Sequence, residues 1–190
     1  VLCDATHNCD KPFEAGRLKA WHASLFPTGY SDFYAVRAGV WRETAMQVVS
    51  GPIGRQKVHY EAPAPEQLEA EMARFFQWWE SSRTELDGVL RSALAHLYFV
   101  TVHPFEDGNG RVGRLIMFKE CLRHGIMPFI IDDKRRTRYL QGLREWDKNP
   151  DILMGVIVEA QDRFKKQIDL QNLGEYRDTL FNQQEDEYDD

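Results

Sequence analysis

Apolar positions recur with a helical period through most of the chain. Between Glu14 and Phe26 they fall at Leu18, Trp21, Leu25 and Phe26, one side of a helix, and Pro27-Thr28-Gly29 breaks the run. Pro65 suits the first turn of a helix reaching about Ser82, with Leu68, Met72, Phe75, Phe76 and Trp79 as its apolar face. Asp87 to Val102 is dense in apolar residues, which predicts a central helix. Gly110 to His124 reads as helical and stops at Gly125, with Pro128 beyond. Two more helices are expected over Asp133 to Asp147 and Pro150 to Asp169. The pattern turns β-prone at Met46-Gln47-Val48-Val49. A turn, Ser50-Gly51-Pro52-Ile53-Gly54, and a return strand, Lys57-Val58-His59-Tyr60, complete one expected hairpin. The expected fold is all-α with a small β-hairpin.

A chain of 190 residues favours one domain and can bury a real core without disulfides. That domain is expected over 1–181, with its core at about 10–170, followed by an acidic, frayed tail over 182–190. The formal net charge of -6 supplies no global field toward nucleic acid or an anionic membrane, and neither is expected as a partner. The longest aliphatic run, Ile152 to Val158, is too short to cross a bilayer, and no signal-peptide pattern opens the chain. Three cysteines without metal-ligand spacing fit reduced thiols, so a cytoplasmic location is expected. Basic residues cluster locally, at Lys134 to Arg138 and at Arg111 with Arg114.

Chemistry concentrates in His103-Pro104-Phe105-Glu106-Asp107-Gly108-Asn109-Gly110-Arg111-Val112-Gly113-Arg114, a loop between two apolar helices. Gly108 and Gly110 let a ligand approach the main chain, and consecutive backbone N–H groups there can cradle an anion. The helix start that follows adds unpaired N–H groups and a partial positive charge. Arg111 and Arg114 offer forked donors to phosphate oxygens. Asp107 offers a hard oxygen, and Mg²⁺ commonly joins one or two carboxylates to substrate phosphates. His103 can take a proton near neutral pH. Base, metal ligand and anion cradle together describe phosphoryl or nucleotidyl transfer. Asp-Gly-Asn-Gly alone is a common turn. A calcium loop fails at Arg111 and Phe118, and neither a Walker A sequence nor a dinucleotide fingerprint is present.

The whole segment resembles the Fic family signature, His-Pro-Phe-x-Asp/Glu-Gly-Asn-Gly-Arg-x-x-Arg, at every defined position. The likeness extends upstream through Trp21-His22-x-x-Leu25-Phe26-Pro27-Thr28-Gly29 and Met46 to Arg55, and downstream through Gly125 to Leu143. It implies a Fic-type helical domain that transfers AMP from ATP, with Mg²⁺, to a Ser, Thr or Tyr hydroxyl of a target protein. Under that resemblance His103 is the base, Phe105 anchors the loop, and Asp107 holds the metal. Gly108, Asn109 and Gly110 form the anion hole, Arg111 binds the β-phosphate, and Arg114 grips the γ-phosphate or an inhibitory glutamate. Val48, Val49, Ser50 and Gly51 belong to a flap that aligns the target by strand addition, and Tyr139, Leu140 and Leu143 lie where relatives enclose adenine. Glu106 occupies the variable position and is expected to face solvent.

Other residues carry plainer readings. His96 is expected to be structural, Trp78, Trp79 and Trp146 to be packing residues, and Lys134 to Arg138 a solvated face. For Tyr139, core packing stands equal to stacking on adenine. Relatives that move a phosphoryl group carry lysine where this chain has Gly110, which favours AMP transfer. Removal of AMP, transfer of another phosphate-containing group, and a non-catalytic interaction module are the alternatives. The inhibitory glutamate of the family lies in a Ser/Thr-x-x-x-Glu-Gly/Asn helix, and no glutamate here is followed by Gly or Asn. Because the sequence starts at Val1, that helix is expected upstream of it.

Overall fold

In the computed structural model, residues 1–50, 55, 57–146 and 148–170 are described. The expected acidic tail, the hairpin turn with Gly51, and Asp147 lie outside them. The chain forms two compact units, Val1–Lys119 and a second beginning at Glu120.

The first unit holds most of the helices foreseen from periodicity. Helix α1 (Leu2–His7) precedes α2 (Ala15–Leu25), which is one residue shorter at each end than its apolar pattern suggests. A single 3-10 turn at Pro65–Gln67 leads into α3 (Leu68–Ser81). Helix α4 (Gly88–Val102) starts at Asp87, whose carboxylate accepts the N–H groups of Val89 and Leu90. That cap satisfies two of the four orphan donors of a helix start, worth about 1 kcal/mol. Helix α5 (Asn109–Arg123) follows the loop. Its approach to α4 depends on Gly113, where an added Cβ would come 2.8 Å from His96 Cδ2 and 3.0 Å from Val100 Cγ1.

The apolar faces meet in one core. Leu18 and Trp21 from α2, Met72, Phe75 and Trp79 from α3, Phe99 and Val102 from α4, and Val112 and Ile116 from α5 are all buried in it. Phe13 sits among the aromatics, with ring centroids 5.3 Å from Trp21 and 4.7 Å from Trp79. The expectation that Trp79 packs in the core is met.

Two hairpins decorate this unit. The expected one pairs β3 (Gln47–Ser50) with β4 (Lys57–Glu61) antiparallel, with a register irregularity between Val48 and Val49. The other pairs β1 (Tyr30–Ser31) with β2 (Tyr34–Ala35) and was not foreseen. Two-residue strands are too short to show alternation, and the turn rests on Asp32 in a left-handed conformation at φ 49.

In the second unit, α6 (Asp133–Arg144) and α7 (Pro150–Leu170) run close together at Gly142, where a Cβ would lie 2.7 Å from the Leu153 backbone. Two basic side chains of the run on α6 form ion pairs. Arg135 pairs with Asp132 at 2.7 Å and Glu159 at 3.5 Å, and Arg138 pairs with Glu159 at 3.1 Å. No described helix is long and apolar enough to cross a membrane.

Candidate active site

The site is built where α4 ends and α5 begins. His103 closes α4 in a left-handed conformation (φ 51, ψ 55), and its N–H still reaches Phe99 O at 3.0 Å. This sharp exit sends the chain away from the helix axis. Pro104 and Phe105 then turn inward, and Phe105 is fully buried.

His103 Nδ1 lies 3.1 Å from the carbonyl oxygen of Val100. A carbonyl only accepts, so Nδ1 carries the proton and the neutral ring keeps its lone pair on Nε2. Burial pulls the imidazole below the ordinary histidine value, and the Arg42 charge acts in the same direction. The Val100 bond and the Asp107 charge oppose this without reversing it. A neutral ring whose Nε2 has no hydrogen-bond partner among the described residues can serve as a general base.

Asn109 holds the loop shut. It is 2% exposed, its Oδ1 accepts the Phe105 N–H at 3.0 Å, and its Nδ2 donates to the Phe105 carbonyl at 2.8 Å. The side-chain amide thus pairs with a buried backbone unit as a neighbouring strand would. It follows that Asn109 can reach an anion only through its main chain. Gly108 has φ +76 and lies where a Cβ would meet Phe26 Cε2 at 2.9 Å, so only glycine fits without a shift. Gly110 is exposed on the first turn of α5, where the N–H groups have no intrahelical acceptor.

Asp107 is half-buried beside that helix start. Its Oδ2 accepts from Ser31 Oγ at 2.6 Å, Tyr34 OH at 3.1 Å and Arg111 at 3.3 Å, while its Oδ1 accepts the Gly108 N–H. Burial raises its carboxyl, but the Ser31, Gly108 and Tyr34 hydrogen bonds and the Arg111 charge outweigh this and leave it below the usual carboxylate range. The carboxylate is therefore ionised and lies beside the first turn of α5. No group of three or more His, Cys, Asp or Glu side chains that could hold a metal forms among the described residues. A lone carboxylate is still a fitting donor for Mg²⁺, which keeps several waters and takes its remaining ligands from substrate phosphates.

Both arginines of the motif are exposed. The Arg111 guanidinium rests over the Phe26 ring at 4.6 Å. The Arg114 NH1 lies 3.7 Å from where a Gly110 Cβ would stand. Glu106 departs from its expected solvent-facing role. It is half-buried and its Oε2 accepts the Arg37 N–H at 3.1 Å, because that backbone donor has no ladder partner.

Val48, Val49 and Ser50 lie in β3, and Gly51 lies outside the described residues. In the second unit Tyr139 is 3% exposed and burial pushes its phenol up, while Leu140 is half-buried. The burial of Tyr139 accords with the packing reading.

Four supporting residues were given no role by the sequence reading. His22 is fully buried and stacks on Phe105 at 3.7 Å between centroids and 7° between planes. Its Nδ1 accepts the Gly39 N–H at 2.8 Å, so Nε2 donates to the Asp107 carbonyl at 3.0 Å. Burial lowers its pKa, in keeping with a ring held neutral between a donor and an acceptor. Its placement on the apolar face of α2 beside Trp21 was the available signal. Arg42 is 2% exposed and bonds the carbonyls of His103, Thr44 and Pro63. Ser31 and Tyr34 come from the unforeseen hairpin.

A family model described as the Fic/DOC family matches residues 12–121. A protein adenylyltransferase Fic from Drosophila sechellia is 41% identical over 83 residues, 43% of this chain and 17% of the relative. A namesake from Nematostella vectensis is 42% identical over 84 residues, 44% of this chain and 20% of its own. The matched stretch is thus about a fifth or less of these relatives' length. Among solved structures, a Fic domain containing signaling protein from Bacteroides thetaiotaomicron superposes with a TM-score of 0.62 at 19% identity, over 85% of this chain and 62% of that one.

Proposed function

This chain belongs to the Fic/DOC family, and on that premise we propose that it is a protein adenylyltransferase that moves AMP from ATP to a Ser, Thr or Tyr hydroxyl of a target protein. The observation that carries this reading is the pairing of a tautomer-fixed base with an anion cradle. His103 keeps Nε2 free, and four residues on an ionised Asp107 stands at the start of α5. The adenylyltransferase names of the Drosophila and Nematostella relatives support the same reaction class.

The hydroxyl oxygen attacks the α-phosphorus, the bond from that phosphorus to the bridging oxygen breaks, and pyrophosphate leaves. The hydroxyl proton passes to His103 Nε2. Asp107 would hold Mg²⁺ against the phosphates, and the ion would supply charge neutralisation for the leaving group. Arg111 and the N–H groups of Asn109 and Gly110 would take the remaining phosphate charge, while the Gly108 N–H is engaged by Asp107 Oδ1. In this reading the β3 edge of the flap, Val48 to Ser50 with Gly51, receives the target as an added strand. Arg114, exposed on α5, is open to the γ-phosphate or to the glutamate of an inhibitory helix.

The test is incubation with Mg²⁺ and ATP labelled at either the α or the γ position, followed by gel autoradiography of protein acceptors. Label from the α position alone supports AMP transfer. Label from the γ position alone would make the enzyme a kinase, and label from neither would leave an interaction module.

A further inference from the structure

The hairpin β3–β4 is fastened to the end of α4 at two points, and both fall on the carbonyls around His103. The first is Arg42. Its Nε donates to His103 O at 2.8 Å, its NH1 to Thr44 O at 2.7 Å and its NH2 to Pro63 O at 2.5 Å. Thr44 lies three residues before β3 and Pro63 two residues after β4. One planar guanidinium therefore holds both ends of the hairpin and the base's own carbonyl. The Arg42 N–H adds a bond to Pro104 O at 2.9 Å.

The second fastening is Tyr60 of β4. Its hydroxyl lies 3.2 Å from Val100 O and also contacts Thr101 O. Val100 O is the same carbonyl that receives Nδ1 of His103. Burial pushes the Tyr60 phenol up to about 12, so it remains a donor across the physiological range. Neither residue reaches the cradle around Asp107, and neither occurs in the loop motif.

Together these contacts do more than satisfy a helix end. The last carbonyls of a helix need donors, and water or any exposed lysine could supply them. Here the donors come from inside and from just before the one element on which the target is to be aligned. We propose that Arg42 and Tyr60 are positioning residues that brace the β3–β4 hairpin against the C-terminal carbonyls of α4, fixing the distance between a docked hydroxyl and His103 Nε2. This rests on the transfer reading above and adds to it the device that sets the geometry.

The test uses the full chain with Tyr60→Phe, Arg42→Lys and Arg42→Met. Tyr60→Phe removes one hydroxyl and keeps the ring, so it is the variant that folds even if Arg42→Met does not. Arg42→Lys keeps the charge but cannot serve three carbonyls in one plane. Three measurements are made: Mg·ATP affinity by calorimetry, self-labelling from α-labelled ATP, and hydrogen exchange of the hairpin amides. A misplacement of about 1 Å at the acceptor is worth about 100-fold in rate, so a loss of about 10-fold or more in labelling is expected for Tyr60→Phe and for Arg42→Lys. Mg·ATP affinity should move by less than about 3-fold, because the cradle is untouched. Amides of Gln47–Ser50 and Lys57–Glu61 should exchange about 10-fold faster while those of α3 keep their protection, the signature of local rather than global opening. Labelling within about 2-fold of wild type, hairpin exchange that does not change, or an equal loss of nucleotide binding each overturns the proposal. If wild-type protein takes no α label, the transfer reading fails and the proposal falls with it. The exchange arm alone then reports whether the brace exists.

Discussion

Replacing Asn109 by alanine removes the amide that clamps Phe105. Two hydrogen bonds are lost, at 3.0 Å and 2.8 Å, and both leave a backbone group stranded in a core where Phe105 has no exposure. An unsatisfied buried donor or acceptor costs about 1–3 kcal/mol, so the pair is worth about 2–5 kcal/mol after some relaxation. Alanine's better helix propensity returns only about 0.5 kcal/mol, so the loss dominates. At about 2–4 °C per kcal/mol for a chain of this size, the melting temperature should fall by about 5–20 °C. Asn109→Asp keeps the shape but turns one oxygen onto the Phe105 carbonyl. Burial and that repulsion raise the folded-state pKa of the new carboxyl above its unfolded value, so the folded variant binds a proton more readily than the unfolded chain. Its instability should therefore shrink as the pH is lowered through the folded-state pKa, since the protonated acid can donate where the amide did. Calorimetric melts of wild type and both variants from pH 8 to pH 5 check this. An alanine variant melting within about 2 °C of wild type, or an aspartate variant whose deficit does not narrow in acid, would refute the reasoning.

Further outcomes follow from the same geometry. His103→Ala should abolish transfer while Mg·ATP affinity, read by calorimetry, stays within about 3-fold, because the base acts on the incoming hydroxyl. The acid limb of the wild-type rate profile should lie below pH 6.5, since burial depresses the His103 pKa and the base is lost only when pH falls through that lowered value. Asp107→Ala should remove Mg²⁺-dependent nucleotide binding and transfer together, and equal activity in EDTA would refute the metal assignment. Gly113→Ala should wedge α4 from α5 and lower stability by about 1–3 kcal/mol in urea melts. Val49→Pro deletes a backbone donor in β3 and should impair target modification more than ATP binding.

Much of the architecture was legible because long helices carry their apolar faces in register. The ends of α3, α4, α5 and α7 came within a few residues of expectation, and so did the β3–β4 hairpin. Helix α6 stops at Arg144, short of Asp147. The motif residues are close in sequence, and His103, Asp107 and Asn109 fall between the end of α4 and the first residue of α5. What stayed hidden was support supplied from far along the chain. His22 reaches Asp107 across 85 residues and Arg42 reaches His103 across 61, and no local periodicity encodes such contacts. Ser31 and Tyr34 sit on strands two residues long, below the length at which alternation can be read. Glu106 looked idle because its partner is a main-chain N–H, which any residue can offer.

The left-handed backbone at His103 has an evolutionary consequence. A residue with a Cβ held there costs about 1 kcal/mol relative to glycine, a cost that the proposed role of the His103 ring would offset. His103→Gly should therefore be inactive and yet harder to unfold than His103→Ala. Selection for stability and selection for turnover thus pull in opposite directions at this one position. In a lineage without the proposed transfer, position 103 would be among the first to drift, and toward glycine or asparagine rather than alanine. The identity of that residue then becomes a marker of whether a homologue still has work to do.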